Sequence, residues 1–259
     1  MSPEALPRRR QAARTAGESE RGGSLIESGS DRTLGIIGGA GPGASARMYL
    51  DLAAQFRAAA GRLPSITLWN VPFSDAVERS FFDGESDGSV AMGRLLAQSV
   101  DRLLAAGATV IAMPCNTLQR TAARESERRG VRFIDMIAAT LDAVCASGHQ
   151  VAVLIATEAT HAAGLYEGHD VEILAPPAGV RDETAALIAR AVDGRRPPSD
   201  AEMRGLVGRA SRPGACVVLG CTDLCGLLDG EGVKDVDVVD SLACLVSSCA
   251  EALGAGARV

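Results

Sequence analysis

Short, wholly apolar runs recur along this chain, each followed by a longer stretch of helical periodicity. The runs are 34–37, 65–71, 109–113, 131–134, 150–155, 215–219 and 236–239. Helical patterns follow at about 44–60, 88–106, 117–129, 136–147, 182–193, 199–211 and 241–253. A strand with one wet face alternates apolar and polar residues, whereas a strand covered on both faces is apolar throughout. The pattern therefore predicts an α/β fold with doubly wound parallel sheets. The segments 33–148 and 149–240 are alike in texture, and each carries a strand that ends at a cysteine. This divides the chain into a first α/β domain over 33–148 and a second over 149–240, joined near His149-Gln150, with the C-terminal helix 241–259 packing back on the first. Residues 1–32 hold Pro, Gly, Ser, Arg and Glu without apolar period and read as a disordered tail.

Composition narrows the partners. Aromatics are only 3% of the 259 residues, too few for base-stacking platforms. The formal net charge is −6, which argues against nucleic acid and anionic membrane surfaces. No apolar run approaches the roughly 20 residues of a membrane-spanning helix. Seven cysteines in no clustered spacing, with no secretory signal, fit a reducing cytoplasmic setting. Cys145, Cys216, Cys244 and Cys249 lie in apolar runs and read as small buried hydrophobes.

The first strand ends in Gly39-Ala40-Gly41-Pro42-Gly43-Ala44, which satisfies the glycine fingerprint of dinucleotide sites. That fingerprint needs an acid at the end of the next strand, but Ile66-Thr67-Leu68-Trp69-Asn70 supplies none. A tight turn lining another anion site is the better reading. Two further strands run into thiols: Met113-Pro114-Cys115-Asn116-Thr117 and Leu219-Gly220-Cys221-Thr222-Asp223. Ligands of open parallel sheets bind at the C-terminal strand ends. Both thiols are expected there, at helix N-termini that favour thiolate. Asn116, Thr117 and Thr222 beside them suit a small carboxylate.

Gly38-Gly39-Ala40-Gly41-Pro42, Pro114-Cys115-Asn116-Thr117 and Gly220-Cys221-Thr222-Asp223 resemble three signatures of the aspartate/glutamate racemase superfamily. Phe133-Ile134-Asp135-Met136, Ile155-Ala156-Thr157-Glu158-Ala159-Thr160, Gly164-Leu165-Tyr166 and Val239-Asp240-Ser241 extend the likeness over about 33–253. The resemblance implies two Rossmann-like domains with an interdomain cleft, a homodimer, an amino-acid substrate and no cofactor. It also implies racemisation by two bases, Cys115 and Cys221, one on each face of the substrate. Gly39, Ala40, Asn116, Thr117, Thr160 and Thr222 would bind substrate. Lys234 is the only lysine and lies in no motif, so a pyridoxal Schiff base has no evident amine.

Two departures bear on the substrate. Relatives acting on aspartate carry a Lys where Val192 stands and an Arg where Ala76 stands. Those cations would hold a side-chain carboxylate, so aspartate is expected to be a poor substrate unless Arg79 takes their place. Gln119 stands where the family often has His. The alternatives are a maleate-isomerase type of reaction, a one-cysteine malonate decarboxylase, which has no use for a second thiol, or a binding protein without turnover. Asp135 and Asp240 read as helix caps rather than a catalytic pair. The three histidines show no metal spacing, although His161 lies near the Thr157–Thr160 motif. The acidic segment Asp83–Gly88 reads as a flexible loop over the cleft, and Arg190, Arg195 and Arg196 as a solvated cluster.

Overall fold

In a computed structural model, residues 32–194, 196–228 and 232–255 are described here. The first half of the chain builds β1 (Thr33–Gly38), α1 (Pro42–Ala60), β2 (Ser65–Asn70), α2 (Asp75–Phe82), α3 (Ser86–Ala105), β3 (Val110–Ala112), α4 (Gln119–Glu127), β4 (Arg132–Phe133) and α5 (Met136–Ala146). The second half builds β5 (Val151–Ile155), α6 (Glu158–Ala162), β6 (Glu172–Leu174), α7 (Ala178–Asp193), α8 (Asp200–Ala210), β7 (Cys216–Leu219), β8 (Val238–Asp240) and α9 (Ser241–Ala252).

The strands form two parallel four-stranded sheets, ordered β2-β1-β3-β4 and β6-β5-β7-β8. Within each half this is the same order: second, first, third, fourth. The central strands β1, β3, β5 and β7 are buried almost throughout, as continuous apolar runs require. One apolar cluster joins both sheets, running from Leu34, Ile36 and Ala112 to Val153, Ile155, Val217 and Leu219. The last helix, α9, packs against α1 and α5 of the first half.

The expected strands and helices all occur, with ends shifted by a few residues. Three elements were not expected: α2, α6 and β6. The segment Asp83–Gly88 is not one loop, because α3 already starts at Ser86, and Ser80 Oγ binds Glu85 at 2.6 Å. The presumed arginine cluster is also partly built in. Arg190 lies on α7 and forks onto Glu202 of α8 at 2.6 and 3.1 Å. Glu202 completes a capping box with Ser199, and these contacts hold its carboxyl at about pKa 2. Arg195 and residues 1–31 lie outside the described residues. Asp135 and Asp240 are helix caps as expected, each accepting two backbone N–H bonds. Cys216 and Cys249 are buried, but Cys145 is exposed and Cys244 only half-buried, since both lie off the core faces of their helices.

Candidate active site

In each sheet the chain winds outward in both directions from its first strand, so a crevice opens between the C-terminal ends of β1 and β3, and of β5 and β7. Four segments leave those ends: the glycine turn after β1, the Cys115 segment after β3, the Thr157 segment after β5 and the Cys221 segment after β7. Residues from all four line one cavity of about 390 Å³. Cys115, Asn116, Thr117, Cys221 and Thr222 are among them, as is Ala40.

The two thiols have matched surroundings. Backbone N–H groups two and three residues on, Thr117 and Leu118, donate to Cys115. Asp223 and Leu224 stand in the same relation to Cys221. These donors favour thiolate, as helix N-termini do, but burial outweighs them. Burial pushes the Cys115 thiol up to about 12, with Asp223 and Glu78 adding to the rise. The Cys221 thiol is pushed up as well, first by burial and then by Asp223. The expectation of lowered thiol pKa values is therefore corrected: both sulfurs hold their protons at neutral pH.

The polar neighbours are mostly tied into the protein. Asn116 is buried, donates to Ser241 Oγ at 3.1 Å and accepts from Tyr166 Oη at 2.6 Å. It fixes the Cys115 segment rather than offering a free amide. Thr222 Oγ1 donates to the Pro114 carbonyl at 3.0 Å, tying one cysteine segment to the other. Gln119 donates to the Met113 carbonyl at 2.6 Å and the Cys115 carbonyl at 3.0 Å, and accepts from Met136 N–H. Thr117, Thr157 and Thr160 share hydroxyl bonds of 2.9 to 3.2 Å across the two halves.

Three expected binding residues do not line the cavity. Gly39 sits one residue too early in its turn. Thr160 is buried behind Thr117 and Thr157. Arg79 is exposed on α2, because Val77 and Phe81 set that helix against the core and turn Glu78 and Phe82 to the cavity. His161 does not line it either, and its Nε2 is buried without a hydrogen-bond partner.

Glu78, Glu158 and Asp223 are the charged residues lining the cavity, and none of the lining residues is Lys or Arg. Glu158 is forked by Arg181. Asp223 packs against the glycine turn, where a Cβ on Gly41 would come within 2.7 Å of Oδ1; Gly41 also has φ 86°, so glycine is needed twice over. Burial, then Glu78, raises the Asp223 carboxyl to about 6. The expected anion-binding turn thus faces a carboxylate. On the opposite wall, Ala185, Ile188, Ala189 and Val192 form a continuous stripe of α7. Asp223, Tyr166 and Ser241 all lie in motifs visible in the sequence, but only tertiary packing reveals what they touch.

Parallel α/β halves that repeat one strand order, with a thiol from each on a shared cavity, define a paired α/β protein built for chemistry between two sulfurs. The Asp/Glu/hydantoin racemase family model matches residues 37–249, and the chain belongs to that family. At that level it is an isomerase of the racemase kind. Its fold is similar to a candidate Asp/Glu racemase from Yersinia pestis (24% identity, TM-score 0.72, covering 86% of this chain and 99% of that one). It is also similar to an aspartate racemase homologue from Pyrococcus horikoshii OT3 (22%, TM-score 0.69, 86% and 99%). A cysteine-containing mutant of arylmalonate decarboxylase shares the fold more distantly (20%, TM-score 0.52, 87% and 94%). No described helix is long and apolar enough to cross a membrane, and no group of three or more metal-ligating side chains occurs among the described residues.

Proposed function

We propose that this chain is a cofactor-independent amino-acid racemase or epimerase in which Cys115 and Cys221 are the two bases. The observation that carries the reading is the presence of both thiols, one from each half, on a single small cavity. Inversion at Cα breaks a C–H bond on one face and forms one on the other. One sulfur, as thiolate, takes the α-proton, and the electron pair delocalises into the carboxylate. The other, as thiol, delivers a proton to the opposite face. The enzyme ends with its thiol and thiolate exchanged, ready for the reverse enantiomer. Backbone N–H pairs beside each sulfur stabilise whichever is ionised. The Thr117 hydroxyl and the neighbouring helix N-terminus suit the α-carboxylate.

Cys115→Ala and Cys221→Ala test the reading. Each should lower racemisation by at least 10³-fold, because neither face can be served twice by one sulfur. Each variant should retain exchange of the α-proton with solvent deuterium for only one enantiomer, with opposite preference in the two variants. Near-normal racemisation in both would refute the two-base reading. Both should fold, as each loses one sulfur atom at a cost of a few kcal/mol at most.

A further inference from the structure

We propose that the substrate is an amino acid with an apolar side chain, packed between Phe82 and the Ile188–Val192 face of α7, its α-ammonium held by Glu78 and Asp223. This rests on the racemase reading and names the substrate class of the same cavity. Phe82 and Val192 come from opposite halves, line the cavity together and are 46% and 59% exposed. Large apolar groups left open at a cavity wall mark a surface that a ligand covers. The α7 stripe offers no polar atom from its side chains over two turns, so a charged side-chain end lying there would lose its hydration with nothing in return.

The opposite wall supplies the complementary charge. Glu158 already has Arg181. Only burial and neighbouring carboxylates act on Glu78 and Asp223, and no cation or hydrogen-bond donor meets either carboxylate among the described residues. Two unpaired carboxylates from the two halves beside both thiols would repel a substrate with a second carboxylate and attract an ammonium group. Glu78 lies one turn before Phe82 on the same helix face. A substrate with its ammonium at Glu78 therefore has Phe82 within reach of its side chain. The volume of about 390 Å³ suits a single amino acid.

The test is α-proton exchange in deuterated water, followed by NMR and chiral chromatography, with the full chain and both enantiomers of leucine, methionine, phenylalanine, aspartate, glutamate and lysine. The kcat/KM of the best apolar amino acid should exceed those of aspartate and lysine by at least 100-fold. Val192→Lys, at an exposed position that tolerates the change, should lower the apolar value at least tenfold and raise that of aspartate. Glu78→Gln should raise KM at least tenfold for every substrate with kcat changed less. Aspartate or lysine as the best substrate would overturn the substrate class while leaving the racemase reading intact. An unchanged KM in Glu78→Gln would overturn the ammonium assignment. Exchange with no amino acid would overturn the racemase reading and this inference with it.

Discussion

The two sulfurs combine features that pull in opposite directions. Backbone N–H pairs at each favour thiolate, while burial and the Asp223 carboxylate favour thiol and win. A thiolate formed there is scarce, and for the same reason it is a stronger base than a free cysteine. Since the pKa of Cys115 is raised to about 12, its ionised fraction at any lower pH grows tenfold with each pH unit. The rate of Cys115 alkylation by iodoacetamide, followed by mass spectrometry, should therefore climb with a slope near one from pH 7 to 9. Levelling near the ordinary thiol value of about 8.5 would show that the sulfur is not held in the buried state described. At this scale the cysteines were legible because short motifs carry them past strand ends. Their ionisation was not, because burial is a property of the folded cavity. Arg79 and Glu78 show the same limit. They are adjacent in sequence, but one helical step of about 100° turns one outward and the other to the cavity.

Helix α2 was missed because its eight residues, Asp75–Phe82, are too few for a clear period and carry two acids and a serine within the turns. What places it is packing. A Cβ on Gly88 of α3 would come within 2.3 Å of Phe81 N and 2.4 Å of the Ser80 carbonyl carbon, and backbone cannot yield as a flexible side chain does. Gly88 thus lets α3 approach the end of α2 and fixes the height at which Glu78 and Phe82 enter the cavity. Gly88→Ala should force α2 away. The expected cost is about 1–3 kcal/mol of stability, typical of overpacking. KM should rise several-fold while the thiols, on other elements, keep their alkylation rates. Thermal melts and substrate kinetics check this, and an unchanged KM would show that α2 does not shape the substrate end. By contrast α1, α3 and α9 were legible from sequence, since each is long enough to bury residues over several turns.

Across the whole molecule, repetition of one strand order brings the ends of β3 and β7, and so Cys115 and Cys221, to a common cavity. The alternation of apolar runs and helices made both sheets legible, and the paired cysteine segments made their meeting legible. The short edge strand β6 was not, because Glu172–Leu174 holds only three residues, none of them fully buried. Inversion requires the two sulfurs to stay correctly spaced, and Thr222 is a direct tie between their segments through the Pro114 carbonyl. Thr222→Val keeps the shape, removes that donor and leaves a buried carbonyl unpaired, at a cost of about 1–3 kcal/mol. Exchange of the α-proton on one face needs one sulfur, whereas inversion needs both at a fixed separation. The variant should therefore lose racemisation about tenfold or more, while single-face exchange with solvent deuterium falls much less. The ratio of the two rates, measured on one substrate sample by NMR and chiral chromatography, separates a spacing defect from general destabilisation, which would lower both alike. Equal loss of exchange and inversion would mean that Thr222 supports the fold without setting the distance between the thiols.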